Sequence, residues 1–301
     1  MTDFHGLPVG ILENKILRLE YLLSAGPRIV RFSLQGGSNL LAELPDVCIQ
    51  TPLGPYYFRG GHRLWSAPES LTRTYTPDND GIKVEEFKNG VCLIGQSEPV
   101  TGISKMIEIR LSPDRAAVTL HHELRNEGPH SVNIAPWALT MLRLGGTAIL
   151  PQPSGNTDEQ GFLNNRILAL WPYTHIKDPR LILRDDFILV HSTPSLTPIK
   201  IGYYNPSGWL AYWIDGILFR KTFDIFANAT YPDSGCNAEI YCDSNVIELE
   251  SLGALIALKP GDSVLFMETW ELYDKLEQSF LSDGDVLIDL LDLNSSKAAS
   301  V

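Results

Sequence analysis

The sequence lacks any run of about 18 uncharged residues, the length that a membrane-spanning helix requires. Its first residues, MTDFHGLPVGILENK, also lack the basic start and the apolar stretch of a secretory signal. These two absences predict a cytoplasmic protein that has no membrane partner.

Cysteine is sparse, with four residues in a chain of 301. Cys48, Cys92, Cys236 and Cys242 form no C-x-x-C pair, which is the spacing expected of zinc and redox sites. Cys236 and Cys242 lie near enough in sequence to form a disulfide, but free buried thiols are the favoured interpretation.

Basic residues are outnumbered, since 24 Lys and Arg face 36 Asp and Glu, for a net charge of −12. Such a charge disfavours a phosphate backbone or an anionic membrane as a partner. The balance therefore argues against nucleic acid and favours a small ligand. A hydrophobic fraction of 44% is enough to bury a large core.

Several catalytic signatures are missing as well. The absence of G-x-x-x-x-G-K-[ST], G-x-G-x-x-G and H-E-x-x-H argues against phosphoryl transfer, nicotinamide redox chemistry and zinc proteolysis. His121, His122 and Glu123 would alternate across a strand, and three ligands cannot converge from opposite faces. We therefore predict neither a metal nor a cofactor.

What the sequence does contain is a succession of short β-type runs that end at turn residues. RIVRFSL precedes QGGSN, MIEIRLS precedes PDR, and LKPGDS separates two late runs. Some runs alternate and others are apolar on both faces, which is typical of two packed sheets whose outer faces are partly covered. We predict an all-β, mostly antiparallel sandwich.

Helical patterns are confined to the C-terminal region. Residues 274–281 and 285–293 carry apolar residues at three- and four-residue spacings, which predicts short helices. No linker or repeat divides the chain. Residues 1–301 are therefore predicted to form a single domain, with residues 282–301 as a peripheral helix and tail.

The stretch RGGHRLWSAPE, residues 59–69, combines flexible residues with residues that bind ligands well. Gly60 and Gly61 allow the backbone to bend or to approach a ligand closely. Trp65 offers a flat apolar face that suits the C–H side of a sugar ring. We predict that this stretch lines a binding site.

Polar side chains of the same stretch, Arg59, His62, Arg63 and Glu69, are suited to contact hydroxyl or anionic groups of a ligand. An alternative interpretation is structural. In it the two glycines form a hairpin turn, Trp65 belongs to the core, and Arg63 and Glu69 form an ion pair.

A second stretch, SNVIELESLGAL, places Glu248 and Glu250 on one face of a strand, about 7 Å apart. Burial would raise the pKa of a carboxyl toward the range in which it exchanges a proton at neutral pH, unless a cation such as Arg59 or Lys221 holds it ionised. The alternative is a pair of solvated glutamates on an edge strand.

Four further residues are typical of sugar pockets, although each is also ordinary at a strand end. They are Trp137, Lys200, Asp233 and Glu239.

The chain resembles the galactose mutarotase-like superfamily, which contains aldose 1-epimerases and hexose-6-phosphate mutarotases. The resemblance lies in three segments that occur in the family's order, RGGHRLWSAPE, LRNEGPHSVNIAPWALTML and NVIELESLGALIALKPGDSVLFMETWEL. It extends over residues 26–272, and the chain is more closely similar to the uncharacterised DUF4380 group. The resemblance implies a β-supersandwich fold.

The resemblance also implies residue roles. In the mutarotases a glutamate takes the proton from the anomeric hydroxyl and a histidine protonates the ring oxygen, without a cofactor. Leu249-Glu250-Ser251 is similar to the family's Leu-Glu-Thr segment, which makes Glu250 the base. Arg59 and the two glycines after it are similar to the Arg-Gly-Gly element that lines the sugar pocket.

The family's histidine has no counterpart in the matching segment, NIAPWALTML, so His62 becomes the substitute acid. Two functions follow for a sugar or sugar phosphate ligand. One is an aldose-epimerase-like enzyme that interconverts anomers, and the other is a carbohydrate-recognition protein without catalysis. A third and weaker hypothesis is cleavage of a larger glycan. A histidine within about 6–8 Å of Glu250 across a cleft would favour catalysis, whereas Trp and Arg alone would favour recognition.

Overall fold

The computed structural model describes residues 3–153, 155–277, 279 and 281. The strands in the first half of the chain are β1 (Asp3–Phe4), β2 (Leu7–Glu13), β3 (Leu17–Leu22), β4 (Ile29–Leu34), β5 (Glu43–Thr51), β6 (Gly54–Gly60), β7 (His62–Ala67), β8 (Lys83–Phe87), β9 (Gly90–Ile94), β10 (Ile103–Leu111), β11 (Ala117–Asn126) and β12 (Val132–Leu142).

The later strands are β13 (Thr147–Pro151), β14 (Leu168–Leu170), β15 (Leu181–Leu183), β16 (Phe187–His191), β17 (Ile199–Tyr203), β18 (Trp209–Ile214), β19 (Ile217–Phe223), β20 (Ala238–Cys242), β21 (Ile247–Leu252), β22 (Ile256–Leu258) and β23 (Ser263–Tyr273). A four-residue helix, α1 (Pro232–Gly235), precedes β20. The all-β fold predicted from the sequence is confirmed.

Two large sheets contain most of these strands. The front sheet has the order β1-β2-β3-β4-β7-β12-β21-β20-β17-β14, and β22 also pairs with β12. The back sheet has the order β15-β16-β13-β18-β19-β23-β11-β10-β9-β8, and β5 and β6 form a separate hairpin. Every described strand pair is antiparallel, as the short connections between neighbouring strands allow.

The two sheets bury a shared apolar core. Leu249 of the front sheet and Leu120 and Trp270 of the back sheet are completely shielded from solvent. The alternation of β23 explains this arrangement, because Trp270 and its alternate neighbours point inward while the residues between them point outward. Burial of each large apolar side chain stabilises the sandwich by roughly 1.5–3 kcal/mol.

The front sheet is also covered on its outer face, beside the β5–β6 hairpin. Tyr56 of β6 packs with Trp65 and Trp137, and Phe58 packs against Met141. As a result β21 is buried along its whole length, although its sequence IELESL alternates. This second layer forms the wall of a cavity.

The glycine pair lies at the corner between β6 and β7. Gly60 and Gly61 have φ of +81° and +72°, in the left-handed region that favours glycine. A Cβ atom on Gly60 would overlap the carbonyl oxygen of Ala42, and one on Gly61 would overlap that of Ile29. The chain can therefore make this tight turn only if neither position carries a side chain.

The C-terminal segment is irregular over residues 274–277, whereas residues 279 and 281 have 3₁₀-helical conformation. In residues 274–277, the first part of one predicted helix, the backbone N–H of Leu276 donates to Gly216 (3.0 Å) and its carbonyl accepts from the Trp213 indole (2.9 Å). These hydrogen bonds connect the segment to the β18–β19 hairpin, and they take the place of the bonds that a helical turn would make. The predicted helix over 285–293 and the proposed peripheral segment 282–301 lie outside the described residues. No described helix is long and apolar enough to cross a bilayer.

Candidate functional site

Two segments distant in sequence meet on the outer face of the front sheet. Trp65 of β7 is the cross-strand partner of Trp137 on β12, and Arg63 and Glu250 both flank Leu139 of β12. Strand alternation gives these residues one face, because each lies an even number of positions from the next along its strand. The Arg59–Glu69 stretch and the late acidic strand therefore share a surface.

A cavity of about 320 Å³ lies on this surface, within the size range of small-molecule sites. Its aromatic lining consists of Phe58, Trp65, Tyr75, Trp137, Tyr173 and Tyr241. Its polar lining consists of Glu69, Lys200, Asp243, Asn245 and Glu248. We refer to this space as the aromatic cavity.

Arg63 lies under the aromatic wall. Its guanidinium carbon is 4.4 Å from the ring centre of Trp65, and Nη1 donates to the Tyr56 hydroxyl (2.8 Å). Its carboxylate contact among the described residues is a loose one with Glu248, at 3.9 Å. Glu69 instead accepts a hydrogen bond from Tyr75, so the alternative ion pair between Arg63 and Glu69 does not form. One face of Trp65 is thus occupied by the arginine, and the indole also packs against Tyr75 and Trp137. Trp65 is therefore buried, with 5% of its surface exposed, as the alternative interpretation expects, and only a small part of it borders the cavity.

Glu250 is fully buried and held by two donors. Its Oε2 accepts from the Trp137 indole (2.8 Å) and from Lys200 Nζ (3.0 Å), while Oε1 has no hydrogen-bond partner among the described residues. Glu239 is also fully buried, and its Oε2 lies 2.8 Å from the same ammonium group. Lys200 is therefore the cation beside Glu250, in place of the Arg59 or Lys221 expected from the sequence.

The charges around Lys200 set its own pKa. Burial alone would lower that pKa, but the carboxylates of Glu250 and Glu239 outweigh burial and hold it well above its ordinary value. Burial raises the pKa of Glu239 well above its usual range, and Lys200 offsets only part of that rise. The ammonium group also lies 4.8 Å from the ring centre of Trp137 and 4.7 Å from that of Trp171.

Glu248 differs from Glu250 because it borders the cavity and its ion-pair contact in the described part of the chain is only the loose one with Arg63. Burial, reinforced by the negative charge of Glu250, raises the pKa of Glu248 to about 8. Glu248 therefore keeps its proton at neutral pH. A protonated carboxyl can donate one hydrogen bond and accept others, which suits a ligand hydroxyl.

His62 does not share the cavity with Glu250, and this corrects the placement expected from the sequence. Since Arg63 and Trp65 point outward, His62 points between the sheets, where it is completely buried. Its Nδ1 lies 3.0 Å from the Thr140 hydroxyl and its Nε2 lies 2.8 Å from Nε2 of His122. Burial lowers the pKa of His62 well below its ordinary value, and the nearby His122 lowers it further.

Lys221 is likewise inside the sandwich and not at the cavity. Its Nζ lies 2.9 Å from Glu268 and donates to the backbone carbonyl of Leu249 (3.1 Å). The donor atoms of His62, His122 and Glu268 lie within 4.8 Å of one another, which makes them a group of described residues that could hold a metal. The two histidines contact each other, and their other ring nitrogens contact the Thr140 hydroxyl and the Phe266 carbonyl. Glu268 contacts Ser251, Trp270 and Lys221 instead, so all of these side-chain atoms already have partners.

Two more residues proposed as ligand contacts lie outside the lining of the cavity. Arg59 donates to the side chains of Asn79 (2.9 Å) and Asp78 (3.4 Å). Asp233 lies in α1, where its φ of +50° belongs to a tight turn. Cys236, at the end of that turn, is a free buried thiol, as is Cys242.

Most of the cavity wall consists of residues that the sequence patterns did not predict. Tyr75, Tyr173, Asp243 and Asn245 come from connections between strands, where no periodic pattern predicts the direction of a side chain. Phe58 comes from β6, which belongs to the separate hairpin. Only the placement of that hairpin over the front sheet reveals its contribution.

No protein-family model matches the chain, and no curated protein matches it at a significant level. Solved structures do match. A candidate aldose 1-epimerase from Escherichia coli is 14% identical with a TM-score of 0.54, over 89% of this chain and 100% of that one. A galactose mutarotase-like protein from Lactobacillus casei is 10% identical with a TM-score of 0.58, over 88% and 100%.

A TPR-domain containing protein from Parabacteroides distasonis is 14% identical with a TM-score of 0.60, over 89% of this chain and 47% of that one. At these identities the similarity establishes architecture and leaves chemistry open. The chain has the galactose mutarotase-like β-sandwich fold.

Proposed function

We propose that this protein binds a carbohydrate in the aromatic cavity. The observation that carries the proposal is the lining itself, in which six aromatic side chains surround a small set of carboxyl, amide and ammonium groups. Aromatic rings suit the C–H faces of sugars, and polar groups at fixed positions suit their hydroxyls. The predicted contacts that border this space are Trp65, Trp137, Glu69 and Glu248. Arg63 packs against Trp65 and does not line the cavity.

Recognition without catalysis is the form of this function that the geometry favours. Glu250 is enclosed by Trp137 and Lys200, and it does not border the cavity. Among the described residues, no histidine lines the cavity. The sequence criterion for binding was that Trp and Arg alone face Glu250. The groups that face it are Trp137 and Lys200, so a tryptophan and a lysine support the recognition form.

Interconversion of anomers is a second candidate, favoured by the contrast between Glu248 and Glu250. Glu248 holds its proton at neutral pH, whereas Glu250 accepts hydrogen bonds from Lys200 and Trp137. In this reaction Glu250 would accept the proton of the anomeric hydroxyl and Glu248 would protonate the ring oxygen. The ring would open and close again on either face. For this reaction the carboxylate of Glu250 must first break its hydrogen bond with the Trp137 indole.

Three narrower proposals rest on the sequence motifs. They are a relationship to the DUF4380 group, a single domain over residues 1–301, and a cytoplasmic location. The choice between a free sugar and a sugar phosphate is also open to test, and we expect neither nucleic acid nor a cofactor to be needed.

Titration of neutral aldoses and their 6-phosphates, followed by NMR or calorimetry, tests binding. We expect Tyr173→Ala to weaken the affinity for a bound aldose by about three- to tenfold, because a stacking ring contributes roughly 0.5–1.5 kcal/mol. Tyr204→Ala is the matched control, since Tyr204 is a similarly exposed ring that is not part of this lining (41% against 37%). Equal effects of the two variants, or no aldose binding, would reject the proposal.

Mutarotation measured by polarimetry or NMR on the same aldoses separates the two functions. Glu250→Gln should abolish any catalysed rate, while Tyr173→Ala should mainly change the affinity. A catalysed rate that Glu250→Gln leaves unchanged rules out Glu250 as the base. Binding without a catalysed rate identifies a recognition protein.

A further inference from the structure

A second cavity, of about 730 Å³, lies on the outer face of the back sheet. It borders β11, β19 and β23, whereas the aromatic cavity lies on the outer face of the other sheet. The two cavities share no lining residue. We refer to the second one as the arginine groove, after Arg110, Arg115 and Arg220 in its lining.

Arg220 is a buried arginine whose hydrogen-bonding capacity is largely unused. Its side chain is only 1% exposed, yet Nε and Nη1 are buried without a hydrogen-bond partner among the described residues. The closest carboxylate oxygen belongs to Glu271 and lies 3.8 Å from Nη1, beyond hydrogen-bond distance. A buried guanidinium without acceptors is costly, because it loses its hydration and gains little in return.

Hydroxyl groups lie on the same face of the sheet, in the row of residues beside this arginine. Thr119, Thr269 and Thr222 are cross-strand neighbours in one row over three strands, and all three border the groove. Arg110 and Arg115 add charge at the exposed rim. Asp224 also borders the groove, but its carboxylate accepts the backbone N–H of Met267 (3.0 Å).

We propose that the arginine groove binds a small oxyanion, the phosphate group of a metabolite or free phosphate. Arg220 is the principal donor, and the threonine hydroxyls supply further hydrogen bonds. The chemistry fits because guanidinium N–H groups make strong, charge-assisted bonds to phosphate oxygens. Arg220 borders this cavity with two guanidinium nitrogen atoms that lack a hydrogen-bond partner among the described residues, and its ion pair with Glu271 is a long one, at 3.8 Å.

Calorimetry at low ionic strength tests the site with three probes: inorganic phosphate, glucose 6-phosphate and glucose. We expect both phosphate compounds to bind, and Arg220→Met to weaken them roughly tenfold or more, since hydrogen bonds to charged groups are strong. Arg125→Gln is the control, because it removes one exposed arginine of β11 outside the groove. Tyr173→Ala should leave phosphate binding unchanged.

Thermal unfolding of each variant without ligand establishes that it folds. Methionine keeps much of the length of the arginine side chain and removes a buried guanidinium whose hydrogen bonds are unsatisfied. Arg220→Met should therefore be at least as stable as the parent. Thr269→Val, which keeps the side-chain shape, provides an independent variant and should weaken phosphate by a few-fold.

Tighter binding of glucose 6-phosphate than of phosphate would identify a phosphorylated metabolite, and equal binding would identify free phosphate. The site is rejected if phosphate does not bind, or if Arg220→Met and the parent bind it equally. Binding of glucose 6-phosphate that only Tyr173→Ala weakens would assign that ligand to the aromatic cavity and also overturn the inference.

Discussion

Glu248 illustrates at the scale of one residue how burial changes chemistry. Its pKa of about 8 in the folded chain compares with about 4.3 for a free glutamate. The folded state therefore holds a proton that the unfolded state releases between these two values. The associated stability is fully present below about pH 4.3 and is lost as the pH rises through about 8.

Glu248→Gln should accordingly flatten the dependence of stability on pH. Between pH 6 and 9 the parent should lose stability, because ionisation of Glu248 leaves a buried charge near that of Glu250, which the loose contact with Arg63 offsets only in part, whereas the variant should lose less. Urea unfolding at several pH values measures this difference. Glu159→Gln, at an exposed position, is the control. Parallel profiles for parent and Glu248→Gln would contradict the role given to burial.

At the scale of elements, the corner between β6 and β7 decides whether the hairpin can reach the front sheet. Gly61 has a positive φ and contacts the Ile29 carbonyl so closely that no Cβ fits between them. The same corner ends the β5–β6 hairpin at Gly60 and starts β7 at His62. Strain at the corner should therefore displace the hairpin that covers the aromatic cavity.

Gly61→Ala should destabilise the fold by more than the roughly 1–3 kcal/mol that an unfavourable backbone conformation costs, because a steric clash adds to that strain. Gly36→Ala is a matched control, since Gly36 has the same φ of +72° and a Cβ atom added to it would meet no described atom within 4 Å. Chemical unfolding of both variants isolates the clash. Similar losses for Gly36→Ala and Gly61→Ala would show that the close approach has no energetic effect.

At the scale of the whole molecule, a polar bridge connects the two sheets through the core. Lys221 and Glu268 belong to the back sheet, yet Lys221 donates to carbonyl groups of Ala138 and Leu249, and Glu268 accepts from Ser251, all in the front sheet. Burial would raise the pKa of Glu268, but Lys221 and His122 reverse this and lower it. Burial lowers the pKa of Lys221, and Glu268 offsets this only in part, so the two pKa values of the pair both shift downward.

Lys221→Met should cost about 3–5 kcal/mol of the free energy of unfolding, because it leaves Glu268 as an unpaired buried charge. The double variant with Glu268→Gln should lose less than the sum of the two single losses. A double-mutant cycle by urea unfolding measures the coupling. The exposed pair Lys83 and Glu85 provides the comparison, with a much smaller expected coupling because solvent screens it. Additive losses for Lys221 and Glu268 would contradict the bridge.

Local patterns in the sequence were sufficient to predict the strands. Alternation and turn residues are properties of a few neighbouring positions, so they identified the all-β class and placed Glu248 and Glu250 on one face. Strand alternation also places His62 opposite Arg63 and Trp65, as the structure has it. His62 was expected at the cavity because histidine is a suitable general acid, although strand alternation alone predicts that its side chain points to the opposite face.

Contacts between distant strands were decided only by the tertiary structure. Lys200 became the partner of Glu250 through the registers of β17, β20 and β21, which no short segment encodes. The hairpin over the front sheet and the connections that supply Tyr75 and Tyr173 determined which face became a cavity. The sequence by itself determined the type of strand and its two faces because those depend on neighbouring residues. The tertiary structure decided which face holds each site because that depends on packing between segments far apart in the chain.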